Sequence, residues 1–297
     1  MLLFAFLCSG VQAFVLPHVL VLACDRRVEL DTALFALSKA YLASLASVTV
    51  SVDCIVDSSF YTMIHKYRQD FRTLSVQSSY QQHIEPDAWR DERVARHWIS
   101  AVTRQFEDGA NRVLYLEEDH VVMPDIFIAA HRFDRACEKC FAVNLACHKP
   151  CDGKFTLSPH SVGLGSVGNI AVLYHRKQWL EFVKYKAPDF CTMRGNWDIN
   201  LAFFNLPMLQ VYKPRAYHLH DCVSARRKRL EFGGKFCNKR RELYRSFANE
   251  WGQTTTSFSN VTWQSPHVVT RGRNAPAPKK MRDMCMRAAY TFIKHEL

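Results

Sequence analysis

Val15-Leu16-Pro17-His18-Val19-Leu20-Val21-Leu22-Ala23-Cys24 is an apolar run of strand length, Val48-Thr49-Val50-Ser51-Val52-Asp53-Cys54 is the next strand-like stretch, and what lies between them decides the fold. Asp25-Arg26-Arg27 makes a charged turn after the first. Leu30, Leu34, Leu37, Ala40, Tyr41 and Leu45 then recur at helical spacing, which predicts a helix of about four turns. The second stretch is rich in β-branched residues, as strands are. Strand, helix and strand at this distance form a βαβ unit, so a parallel sheet with a right-handed crossover is expected.

Working outward, a helix is expected over 91–106, broken by Asp108-Gly109. A short apolar strand follows at 112–116. Residues 141–145 and 169–174 read as further strands and 176–184 as a helix, so the chain is α/β. Ligands of such sheets sit beyond the carboxyl ends of the parallel strands.

The chain has 297 residues, of which 48% are hydrophobic and 23% charged, so a folded chain with a sizeable core is expected. These figures exclude a mainly disordered chain and a multi-span membrane protein. The net charge of +11 is uneven: residues 1–220 carry 23 basic and 22 acidic side chains, and residues 221–297 carry 16 and 6. Such a tail favours anionic partners. Arg226-Arg227-Lys228-Arg229 and Lys239-Arg240-Arg241 lie in it without interleaved aromatic residues or a nucleic-acid-binding module, so they read as a solvated face or a phosphate-attracting rim. No nucleic-acid partner is expected.

Eleven cysteines suit a secretory compartment. Residues 1–13 read as a signal peptide or the remnant of a membrane anchor, leaving an even ten cysteines for disulfides. Asn260-Val261-Thr262 is a glycosylation sequon. Lys294-His295-Glu296-Leu297 is a variant of the endoplasmic-reticulum retrieval tail.

Four groups could carry chemistry. Val113-Leu114-Tyr115-Leu116-Glu117-Glu118-Asp119-His120 runs from a buried strand into three carboxylates. These are either an exposed acidic turn or ligands of a divalent cation, Mg²⁺ or Mn²⁺, shared with phosphate oxygens. Asp198, in Arg194-Gly195-Asn196-Trp197-Asp198, either caps a helix or serves as a general base beside an aromatic wall. Tyr217-His218-Leu219-His220-Asp221-Cys222 sets two histidines at alternate positions, as metal ligands or as hydrogen-bonded structural residues. Cys137-Glu138-Lys139-Cys140 with Cys147 and Cys151 could bind zinc, but the short gap and an oxidising compartment favour disulfides. Gly163-Leu164-Gly165-Ser166-Val167-Gly168 matches a dinucleotide fingerprint only literally; it precedes a strand and is expected to be a flexible loop.

In this order the pieces resemble the Golgi N-acetylglucosaminyltransferase II family, inverting glycosyltransferases of the GT-A type. The likeness is carried by Leu116-Glu117-Glu118-Asp119-His120-Val121-Val122-Met123-Pro124-Asp125, by Phe190-Cys191-Thr192 with Asn196-Trp197-Asp198, and by His218 with Asp221-Cys222. Arg26 and Asp53 follow the first two strands as in that family. The resemblance implies a Rossmann-like catalytic domain over 14–222 and leaves 223–297 as a basic extension packed on it. It implies Mn²⁺, with Mg²⁺ as the alternative, held by Asp119 and His218. It implies UDP-GlcNAc as donor, with Arg26 and Asp53 at the uridine and Glu117, Glu118, Asp119 and Trp197 near the sugar and diphosphate. Asp198 would be the catalytic base. Cys137 with Cys140, and Cys191 with Cys285, would form disulfides. The implied reaction is β-1,2 transfer of N-acetylglucosamine to a mannose of an N-glycan, on the α-1,6 arm, in the Golgi lumen. The α-1,3 arm, an O-mannosyl glycan or a silent sugar-nucleotide-binding role are the alternatives. The run 165–168 departs from the family's Glu-His-Asn-Met-Gly, which bears on the acceptor.

Overall fold

The computed structural model describes residues 15–78, 90–134, 140–146, 162–165, 170–190, 201–204, 206, 208–211 and 214–219. The expected βαβ unit is present: β1 (His18–Ala23), α1 (Arg27–Ser38) and β2 (Ser47–Val52), with β1 and β2 parallel. After α2 (Ser58–His65), β3 (Thr73–Ser78) extends the parallel pairing beyond β2. Then α3 (Arg90–Glu107) crosses back to β4 (Arg112–Glu117), which lies parallel to β1 on its other side. Gly109 at φ 95° ends α3, a left-handed turn that glycine adopts without a Cβ clash.

The chain continues through β5 (His120–Val122), α4 (Ile126–Asp134), β6 (Ala142–Asn144), β7 (Val162–Gly165) and β8 (Val172–His175). It then forms α5 (Arg176–Tyr185), α6 (Ala187–Phe190), β9 (Met208–Val211) and β10 (Ala216–His218). Eight strands make one sheet in the order β3-β2-β1-β4-β8-β6-β9-β7, and β5 pairs with β10 in a separate antiparallel ribbon. The block β3-β2-β1-β4 is parallel throughout; β8 and β7 run antiparallel to their neighbours.

Both faces of the sheet are covered at β1 and β4, which is why these two strands read as near-continuous apolar runs. Val19, Val21 and Ala23 of β1 pack with α1, α2 and α4, whereas Leu20 and Leu22 pack with α3 and α5. In β4, Leu114 and Leu116 take the first face, Val113 and Tyr115 the second. The second face is aromatic: Trp98 meets Trp179 edge-on at 5.0 Å, with Tyr174, Phe182 and Phe190 around them. Each such ring removed from water stabilises the fold by roughly 1.5–3 kcal/mol.

Two expectations are corrected. The first helix stops at Ser38 instead of continuing to Leu45. Leu42 takes a left-handed φ of 71° and the Tyr41 N–H donates to the Pro124 carbonyl, so Tyr41 and Leu45 turn out to solvent. Gly163-Leu164-Gly165, expected as loop, forms edge strand β7, antiparallel to β9. Its small residues lie where one side only is paired, among the described residues. No helix among the described residues is long and apolar enough to cross a membrane.

Candidate functional site

The parallel register sets the site. Leu22 of β1 lies opposite Glu117 of β4, so the residues that follow both strands meet at one rim. There the Cys24 N–H donates to Glu118 Oε2 at 2.7 Å, and Arg26 Nε donates to Glu118 Oε1 at 2.5 Å. Arg26 Nη1 donates to Asp119 Oδ2, also at 2.5 Å. Glu118 is buried with both oxygens engaged. Burial pushes its carboxyl up, and the Arg26 charge opposes that rise. Glu118 therefore braces the turn after β1.

His218 comes from a different part of the chain. In the β5–β10 ribbon it lies directly opposite His120, and the Leu219 N–H donates to the Asp119 carbonyl. The foot of the ribbon is held by Arg215, whose Nε donates to Asp125 Oδ2 at 2.7 Å in a buried ion pair, and by the Met123 N–H on the Arg215 carbonyl. This brings His218 Nε2 to 3.2 Å from Asp119 Oδ2. Glu117, Asp119, His120 and His218 can each present one ligand atom within 4.8 Å of the others.

The donor set fits a divalent cation. Two ligand atoms at right angles on an ion with bonds near 2.1 Å stand about 3 Å apart, close to the Asp119–His218 separation. Carboxylate with imidazole suits Mn²⁺ and similar ions. His120 is the member that fits least: its Nδ1 accepts the Glu117 N–H at 2.8 Å, which leaves the proton on Nε2. Its ring instead tilts against His218 at 5.4 Å between centroids. Glu117 accepts from the Tyr115 hydroxyl at 2.8 Å, which aims it from the strand end.

Asp53 ends β2 on the same rim. Its N–H donates to the Ala23 carbonyl, and a disulfide joins Cys24 to Cys54 with Cα atoms 4.9 Å apart. Burial pushes the Asp53 carboxyl up to about 6 against the pull of Arg93 and Arg96. His97 has Nδ1 at 4.0 Å from Asp53 Oδ2, bonds Ser51 through Nε2 at 2.8 Å, and is pushed down to about 3 by burial.

Of the sequence-derived candidates, the structure brings together Arg26, Glu117, Glu118, Asp119 and His218, with Asp53 tied in through the disulfide. Arg26, expected at the uridine, has its guanidinium on the two carboxylates. Cys140 is disulfide-bonded. Cys137, Trp197, Asp198, His220, Cys191 and Cys285 lie outside the described residues. The sequence left the partners of Cys24 and Cys54 open. Their shared position, directly after two adjacent parallel strands, is the signal that pairs them. Neither Tyr115 nor Arg215 stood out in the sequence; each reads as ordinary until the ribbon places it.

No curated protein sequence matches the chain. Among solved structures it is similar to TarS 1–349 of S. aureus, at 14% identity and TM-score 0.44, covering 68% of this chain and 60% of that one. The glycosyltransferase GlyE of Streptococcus pneumoniae TIGR4 gives 11% identity and TM-score 0.45, over 95% of this chain and 63% of that one. The galactosyltransferase LgtC, in complex with donor and acceptor sugar analogues, gives 13% and 0.41, over 63% and 70%. The family model N-acetylglucosaminyltransferase II matches residues 75–271, which include the acidic strand end, Asp198 and His218. With this match and the α/β sheet flanked by helices, the GT-A fold expected from the sequence holds, and the chain belongs to the N-acetylglucosaminyltransferase II family.

Proposed function

We propose that the protein transfers N-acetylglucosamine from UDP-GlcNAc, with inversion and in β-1,2 linkage, to a mannose on the α-1,6 arm of an N-glycan. One observation carries this reading: Asp119 and His218, about a hundred residues apart in sequence, stand 3.2 Å apart within the family match. Asp119 and His218 would hold Mn²⁺, with Glu117 beside them. A cation held there supplies positive charge to the departing diphosphate.

The chain's own residues do the rest. Glu118 and the Cys24 N–H fix the turn that carries Arg26. Asp53 accepts the uracil ring N–H. Trp197 would serve the donor, the role the family likeness gives it. Asp198 takes the proton from the acceptor hydroxyl as that oxygen attacks the anomeric carbon. One carboxylate base on the face opposite the diphosphate suffices for a single displacement, which inverts the centre. The Cys24–Cys54 disulfide supports an oxidising setting, and the Golgi lumen is the expected one.

The test is an incubation of purified protein with UDP-sugars, Mn²⁺ and a panel of trimmed N-glycans, read by mass spectrometry. Addition of one N-acetylglucosamine to an exposed mannose is expected, and linkage analysis identifies the arm. Asp198→Asn should lower transfer by several orders of magnitude and leave donor binding largely intact. Absence of transfer to every acceptor in the panel would overturn the proposal.

A further inference from the structure

We infer that Arg26 makes divalent-cation binding at Asp119 and His218 conditional on the nucleoside diphosphate. The inference rests on the reading of those two residues as cation ligands. Asp119 Oδ2 takes Arg26 Nη1 at 2.5 Å and also faces His218 Nε2 at 3.2 Å. A cation using that oxygen therefore competes with a guanidinium for the same lone pairs. It also lies beside a fixed like charge where Asp119 is fully buried and water screens little.

Arg26 has no easy way out of that contact. A guanidinium does not lose its proton in proteins. Its Nε is held by Glu118 Oε1, and Glu118 is itself held by the Cys24 N–H. The disulfide to Cys54 ties that backbone to the end of β2. Among the described residues, the charged groups bonded to or flanking Asp119 are Arg26, Glu117 and Glu118, with Asp53, Arg93 and Arg96 farther along the rim, and Arg26 offsets part of the field that would attract a cation. A diphosphate reverses the situation, because its negative charge meets both the guanidinium and the cation. Coupling between two ligands is reciprocal, so cation and nucleotide should each strengthen the other's binding, roughly 10- to 100-fold.

The experiment measures free Mn²⁺ by electron paramagnetic resonance during titration of the full chain, with and without uridine diphosphate. Arg26→Gln should bind Mn²⁺ alone about 10-fold or more tighter than wild type, and the gain from uridine diphosphate should shrink by a similar factor. Arg26→Lys, which keeps a charge, should stay near wild type. The double variant Arg26→Gln/Glu118→Gln removes the charge together with its buried counter-charge; it ends the competition for Asp119 Oδ2 at unchanged net charge, so it should still bind Mn²⁺ tighter than wild type, by a smaller factor, should the single variant not fold. Unchanged or weaker Mn²⁺ affinity in the uncharged variants, with wild-type binding intact, overturns the role of Arg26 alone. If wild type binds no Mn²⁺ even with uridine diphosphate, and Asp119→Asn behaves identically, the cation site itself is wrong and both readings fall.

Discussion

The ends of β4 and β2 each present an aspartate to the same rim, and the two are kept in opposite ways. Asp119, past β4, is buried against formal charge: Arg26 at 2.5 Å and the His218 imidazole at 3.2 Å share one of its oxygens. Asp53, past β2, is buried beside an imidazole that burial holds neutral; Arg93 and Arg96 pull its carboxyl down, and burial outweighs them, so it is pushed up to about 6. An aspartate oxygen that faces an imidazole at ligand spacing suits a cation, and the guanidinium on the same oxygen opposes one until a diphosphate answers its charge. An aspartate whose charge is opposed by burial suits a neutral hydrogen-bond donor, and its strength as an acceptor depends on pH. Position in the sheet alone would not separate them; the side chains packed around each do.

The widest break in this comparison is Asp119→Ala. It removes one of the two closest ligand atoms and strips Arg26 of a partner. Mn²⁺-dependent binding of uridine diphosphate should fall by more than about 100-fold, at the scale of losing a strong charge-assisted contact plus its metal. Isothermal titration with and without Mn²⁺ checks this, and an unchanged Mn²⁺ dependence would remove Asp119 from the site. Next in size is the tie between the two strand ends. Converting Cys24 and Cys54 to alanine opens a loop with a sequence separation of 30 and should cost about 3–4 kcal/mol in urea unfolding. Because the bridge holds the turn that carries Arg26 against Asp53, the same variant should weaken uridine diphosphate more than it weakens Mn²⁺ in the presence of pyrophosphate.

The sequence made one end of this rim much plainer than the other. Burial on both faces makes β1 and β4 near-continuous apolar runs, whereas β2 alternates valine with the buried, hydrogen-bonded Thr49 and Ser51, and carboxylates directly after such strands fall at the sheet's ligand edge. The motif around Asp119 and the spacing to His218 then fixed the rest by resemblance. What sequence could not supply was compensation. The Arg26–Glu118–Asp119 bonds join residues more than 90 apart, and nothing local distinguishes Glu118, a brace, from Asp119, a candidate ligand. The two-stranded β5–β10 ribbon was also invisible, because strands of three residues carry too little pattern to count. The first helix was overread for the same reason in reverse. Tyr41 and Leu45 continue the helical spacing, yet a hydrogen bond to Pro124 decides where the chain turns.

The smallest effect probes the β2 end and sharpens the contrast most directly. If Asp53 accepts the uracil N–H, only its ionised form serves, and with the carboxyl near 6 that form fades as the solution is acidified below neutrality. Between pH 7 and pH 5 uridine diphosphate affinity should fall by about tenfold from this group alone, since each unit below the pKa removes a factor of ten in ionised fraction. Stability runs the other way. The native state holds this proton more tightly than an unfolded chain, whose carboxyl titrates near 3.8, so the group favours folding at low pH and that contribution is lost as pH rises from 3.8 through about 6. Asp53→Asn should therefore bind uridine diphosphate weakly at both pH values, flatten the profile over pH 5–7, and leave the Mn²⁺ requirement in place. A profile unchanged by Asp53→Asn would place the titrating group elsewhere and leave Asp53 as a buried partner of His97.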